Sequence, residues 1–141
     1  MDRLIVLDTN VLVAALRSRR RASYRLLEKT GDGSFVPCVS VGLLFEYEAV
    51  LKRSELGLAL SASEIDDVLD YLVASSRRQE IHFLWRPTLR DPADDMVLEL
   101  AVAAEADRIV TFRTRDFAGS EAFGVCAVTP RDLLDELEGR S

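Results

Sequence analysis

Short, mainly apolar runs are spaced along the chain: Leu4-Ile5-Val6-Leu7, Phe35-Val36-Pro37-Cys38-Val39, Ile81-His82-Phe83-Leu84-Trp85, Ile109-Val110-Thr111-Phe112 and Val125-Cys126-Ala127-Val128. Each is too short for a buried helix and lacks the polar alternation of a strand with one wet face, so each is expected to be a strand covered on both sides. Between them the pattern changes to helical spacing. Strands that alternate with helices define an α/β domain around a mostly parallel central sheet.

The helices can be placed from their start and stop signals. Helical spacing begins at Val11, runs into a basic stretch at Arg17, Arg19, Arg20 and Arg21, and resumes through Leu26-Leu27 until Gly31 and Gly33 break it. Two short helices or one kinked helix fit equally. Ser40 is placed to cap a helix with the stripe Leu43, Leu44, Tyr47, Val50 and Leu51. Ser61 and Glu64 have capping-box spacing, Leu60 and Ile65 can form the staple, and Ile65, Val68, Leu69, Leu72 and Val73 make one apolar face, with Asp66, Asp67 and Asp70 as its solvated side. Asp91 and Pro92 suit the N-cap and first position of a helix expected to run to about Ala106. Thr129-Pro130 starts a last helix. With no repeat, linker or low-complexity segment, residues 1–141 are expected to form one domain.

Composition removes several function classes. Eighteen basic against 24 acidic residues leave a net charge of −6, so nucleic acid would have to be met by a local patch and not by bulk charge. Cys38 and Cys126 lie far apart in apolar contexts without metal-site or redox spacing and are expected to be reduced and buried. The single histidine, His82, sits inside a strand-like run, where a structural role is expected, and this argues against serine–histidine, cysteine–histidine and HExxH chemistry. No apolar run approaches membrane-spanning length and the start of the chain has no signal-peptide pattern, so a soluble cytoplasmic protein is expected.

What remains is carboxylate chemistry. Ligands of open parallel sheets bind beyond the carboxyl ends of the strands, near the point where strand order reverses. Asp8 stands at one such end, Asp116 follows another strand by a few residues, and the helix start at Asp91–Asp95 can share that edge. Asp8 and Asp91 are also good helix caps, and Asp94 points inward with Val97, Leu98 and Ala101, whereas Asp95 lies on the flank. Glu46 and Glu48 lie on opposite flanks of their helix, and periodicity does not choose between them. Converging carboxylates repel one another unless a cation neutralises them, and hard oxygen donors suit Mg²⁺ or Mn²⁺. Such ions serve phosphodiester hydrolysis.

Five stretches in order, Leu7-Asp8-Thr9-Asn10-Val11-Leu12-Val13, Leu44-Phe45-Glu46-Tyr47-Glu48-Ala49-Val50-Leu51, Arg90-Asp91-Pro92-Ala93-Asp94-Asp95, Ala106-Asp107-Arg108-Ile109-Val110-Thr111 and Arg115-Asp116-Phe117, resemble the PIN domain, the metal-dependent nuclease fold that includes VapC-type toxins of toxin–antitoxin pairs. The resemblance spans nearly the whole chain and implies a single three-layer α/β/α PIN-like domain. It places the family's acids on Asp8, Glu46 and Asp94, its polar residue two beyond the first aspartate on Asn10, and its strand-end hydroxyl on Thr111. Two residues after that threonine the family usually has Asp or Asn; here the residue is Arg113. Asp116, in the family's Asp-Phe pair, is then the candidate for the missing fourth ligand, and Arg113 for a phosphate contact.

The resemblance implies that Asp8, Glu46, Asp94 and Asp116 hold Mg²⁺ or Mn²⁺ and that water attacks a phosphodiester of single-stranded RNA, with Asn10, Thr111 and Arg113 orienting water or substrate. It further implies a cognate antitoxin and a homodimer, with exposed apolar parts of the early helices as its surface. Arg17–Arg21 with Arg25 offers a basic patch for an RNA backbone or an antitoxin's acidic tail. Arg113 also defines the alternative, a catalytically silent PIN-like module kept for binding or dimerisation. A haloacid-dehalogenase-like phosphatase would need an acid where Asn10 stands, and a dinucleotide site would need GxGxxG where Asp8-Thr9-Asn10 stands.

Overall fold

Ile5, Val6 and Leu7 are sealed from solvent on both faces, as their unbroken apolar run requires, and they form the middle of the sheet. The computed structural model describes residues 3–81, 89 and 91–139. Within them β1 (Leu4–Leu7), β2 (Val36–Val39), β3 (Arg77–Arg78), β4 (Arg108–Val110) and β5 (Cys126–Val128) form one sheet in the order β3-β2-β1-β4-β5, every neighbouring pair parallel. Helices α1 (Thr9–Arg17), α2 (Ala22–Lys29), α3 (Val41–Leu51), α4 (Ala62–Ala74), α5 (Pro92–Ala103) and α6 (Pro130–Leu137) complete a three-layer α/β/α domain.

From β1 the chain steps outward to β2 and β3, then returns to the other side of β1 for β4 and β5. Strand order therefore reverses between β1 and β4, and their carboxyl ends open a crevice there. In register Leu7 faces Val110, so the next residues, Asp8 and Thr111, emerge side by side. Pro37 is tolerated inside the sheet for a geometric reason. The Val36 amide donates to Arg3 on the β1 side, so the Pro37 nitrogen faces β3, whose two-residue ladder begins only opposite Cys38 and asks for no donor there.

The helix signals correspond to real caps. Ser40 accepts from the Leu43 amide at 3.2 Å, Ser61 and Glu64 form both halves of their capping box, Asp91 accepts from Ala93 at 2.9 Å and Thr129 from Asp132 at 3.1 Å. The early helical segment is two helices, α1 and α2, with Arg17, Arg19, Arg20 and Arg21 at their junction. The strand expected over Ile81–Trp85 lies, apart from Ile81, outside the described residues, and Arg77–Arg78 forms a strand that the sequence reading did not expect. The helix expected to reach Ala106 stops at Ala103, because Glu105 turns left-handed (φ 58°) and the amides of Glu105 and Ala106 fold back onto the carbonyls of Val102 and Ala101. That is the Schellman ending normally announced by glycine. Of the two cysteines, Cys38 is fully buried but Cys126 is half-buried.

Two outcomes follow. A left-handed conformation strains an L-residue by roughly 1–2 kcal/mol, part of which glycine's greater unfolded entropy offsets. Glu105→Gly is therefore expected to stabilise the exposed α5 terminus by about 1 kcal/mol, read as a higher urea midpoint at unchanged slope. Burial pushes the Cys38 thiol up to about 11. With Ellman's reagent at mildly alkaline pH, Cys126 is expected to react in the folded protein and Cys38 only on unfolding.

Candidate active site

Asp8 both caps α1 and lines the crevice at the strand ends, because its two oxygens divide the work. Oδ1 accepts from the Thr9 amide at 2.9 Å and starts α1. Oδ2 accepts from the Thr111 hydroxyl at 2.8 Å and from the Asn10 amide at 3.3 Å. Asn10 in turn accepts from the Phe112 amide at 3.3 Å, so Asn10 and Thr111 join the end of β1 to the end of β4 and fix the carboxylate between them.

Asp94 reaches the same place from the first turn of α5. Asp8 and Asp94 are each only 3% exposed. Burial holds the Asp94 carboxyl above its ordinary value even though Arg113, acting oppositely, stands beside it.

Tyr47 fixes which glutamate of α3 faces the crevice. Its buried phenol, which burial keeps well above its ordinary value and hence protonated, donates to the Leu7 carbonyl and ties α3 to the end of β1. Glu46, one residue earlier, then faces the cleft and accepts from the Thr9 hydroxyl. Glu48 falls on the other flank and pairs with Lys52 at 3.1 Å, which also holds Asp66.

Arg113 lies among the acids. Its Nη2 donates to Asp94 Oδ1 at 2.8 Å and to Asp8 Oδ2 at 3.2 Å, while Nη1 donates to Asp116 Oδ2 at 3.0 Å and to Asp94 Oδ2 at 3.4 Å. Asp116, on a turn of 3₁₀ helix at Thr114–Phe117, is half exposed and joins the cluster through this guanidinium. Asp95 is turned away and accepts from the Leu89 amide.

The cleft encloses about 490 Å³ and is lined by Asp8, Asn10, Glu46, Asp94 and Arg113 together with basic and aromatic side chains. Of the basic stretch, Arg17 and Arg21 line it, whereas Arg25 pairs with Glu138 at 2.8 Å. Arg53 and the half-exposed Phe112 are lining residues that sequence reasoning missed. Arg53 lies just past the end of α3, in extended backbone, so helical spacing gave no signal for it.

By type, the donors fit a hard divalent cation: carboxylate oxygens, two of them buried and in need of positive charge. By arrangement, no three acids among the described residues form a group that could hold a metal ion. The positive charge that Asp8 and Asp94 need is supplied by Arg113.

Because the net effect of its surroundings raises the Asp94 value, the folded state binds this proton more tightly than the unfolded state does, and the ionised carboxylate weakens the fold. Asp94→Asn is thus expected to melt higher than wild type at neutral pH. The gap should close as pH falls through the raised value toward the ordinary aspartate range, where Asp94 is protonated folded or unfolded. Melting curves across that range check it.

The PIN domain family model matches residues 4–115. No curated protein matches the sequence. Among solved structures, the chain is similar to the VapBC2 complex of Rickettsia felis bound to a DNA fragment from its promoter, with a TM-score of 0.60 over 88% of this chain and 96% of that one at 15% identity, a likeness of fold. With the family model spanning β1 through β4 and including Asp8, Glu46 and Asp94, this chain belongs to the PIN domain family.

Proposed function

We propose that the protein is a metal-dependent endoribonuclease acting on single-stranded RNA, the toxin component of a toxin–antitoxin pair in the cytoplasm. The observation that carries the reading is the meeting of Asp8, Glu46 and Asp94, from three separate elements, in one cleft at the strand-order reversal, with Arg17, Arg21 and Arg53 lining the same cleft. Acids at one locus and arginines beside them suit a substrate that is both hydrolysed and polyanionic.

Asp8, Glu46 and Asp94, with Asp116, would have to draw closer together than they stand here to hold Mg²⁺ or Mn²⁺, which when bound polarises a phosphate and acidifies water. The chain's own residues do the rest. Thr111 and Asn10 fix the Asp8 carboxylate by donating to it. Thr9 orients Glu46. Arg17, Arg21 and Arg53 take successive phosphates, and Phe112, exposed at the cleft, offers a face on which an unpaired base can stack. The likeness to a VapBC complex supports a cognate antitoxin as partner. Val41 and Phe45, large apolar residues exposed on α3, are the candidate surface for a homodimer.

A second reading, the catalytically silent binding module, is favoured by one observation, the guanidinium of Arg113 on the carboxylates. Cleavage of mixed-sequence single-stranded RNA with Mg²⁺, Mn²⁺ or EDTA separates the two. Wild type is expected to cleave with metal and not with EDTA, Glu46→Gln and Asp94→Asn to fall at least ~100-fold, in line with loss of a group acting in the transition state, and Glu48→Gln to remain within a few-fold of wild type. Intact RNA with folded wild type under both metals selects the silent module.

A further inference from the structure

We infer that Arg113 is the resident cation of the cleft, and that it and a divalent metal exclude one another from the same carboxylates. The inference rests on the reading of the cleft as a cation site. Its basis is the sharing of the guanidinium: Nη2 lies between Asp8 and Asp94, at 3.2 and 2.8 Å, and Nη1 between Asp94 and Asp116, at 3.4 and 3.0 Å. A magnesium-sized ion sits about 2.0–2.1 Å from each of its oxygens. An ion on Asp8 Oδ2 and Asp94 Oδ1 would therefore press against Nη2, adding like-charge repulsion to steric overlap. One cation must leave before the other arrives.

The side chain has somewhere to go. The side chain as a whole is 42% exposed, on a loop beyond β4, while the Arg113 amide stays anchored to the Thr111 hydroxyl at 3.0 Å. Withdrawal of the head leaves the backbone of the site untouched. Asp8 and Asp94, nearly sealed from water, would then be two like charges without compensation, the condition under which a divalent ion binds most tightly. An acid at position 113 would add a ligand, whereas arginine supplies a competitor, so affinity for metal is governed by this one side chain.

Manganese titration of the full chain, followed by calorimetry and by the electron paramagnetic resonance of free Mn²⁺, tests this. Arg113→Gln is expected to bind Mn²⁺ at least tenfold more tightly than wild type, and Arg113→Lys, which keeps the charge, to bind as weakly as wild type. Mn²⁺ should raise the melting temperature of Arg113→Gln and leave that of wild type nearly unchanged. If Arg113→Gln does not fold alone, refolding in Mn²⁺ is expected to rescue it, and failure of that rescue overturns the inference. Equal affinity in wild type and Arg113→Gln, or no binding by either, also overturns it. The nuclease reading fails separately: tight Mn²⁺ binding by Arg113→Gln with intact RNA keeps the resident cation and removes the nuclease, while a wild type that cleaves RNA and binds Mn²⁺ as tightly as Arg113→Gln does the reverse.

Discussion

β1 (Leu4–Leu7) and β4 (Arg108–Val110) lie side by side although they are remote in sequence, and the cleft depends on that pairing. The Asp8 amide donates to the Val110 carbonyl at 2.9 Å, which continues the ladder one residue past β1 and brings the Asp8 carboxylate level with Thr111. The residues that orient the acid, Asn10 and Thr111, are the residues that tie the two strand ends together. Stability and chemistry share the same few hydrogen bonds here. Tyr47 extends this economy to α3, since the phenol that locks the helix to Leu7 also turns Glu46 toward the cleft.

Burial of two carboxylates at such a junction sets a demand for positive charge that the fold must meet. It is met from within, by a side chain three residues beyond the end of β4. A buried acid whose surroundings raise its proton affinity, despite an arginine at 2.8 Å, is not optimised for stability. Structures retain such groups at functional positions because electrostatic strain there is compensated by the packing elsewhere.

The architecture was legible in the sequence because buried strands and capped helices write simple local patterns. The runs at residues 4–7, 35–39, 109–112 and 125–128 overlap β1, β2, β4 and β5, and Ser40, Ser61, Asp91 and Thr129 cap the helices they announce. Local patterns failed where a tertiary contact decides. Arg77–Arg78 has no apolar signature, and it becomes an edge strand only because β2 offers it carbonyls and amides. Glu105 ends a helix in a conformation that glycine would have advertised. At the site, Asp8 and Asp94 could be placed near the sheet edge from spacing, but the choice of Glu46 over Glu48 needed the Tyr47 hydrogen bond or a family resemblance. The engagement of Arg113 with three acids at once was not readable, since it depends on the meeting of three elements that are remote in sequence.

The strand order has a consequence in time as well as in space. β1 is made well before β4, and one of its two edges waits for that strand, so during synthesis this apolar strand has a bare flank until residues 108–110 emerge. β2 can pair early; β4 cannot. The crevice between β1 and β4 therefore forms only after β4 is made, and a nascent chain that already has its first sheet pair, α1 and α3 still lacks the wall that carries Thr111 and Arg113. Slow closure of this long-range pair, and not formation of any helix, is the step at which the chain is most open to wrong partners.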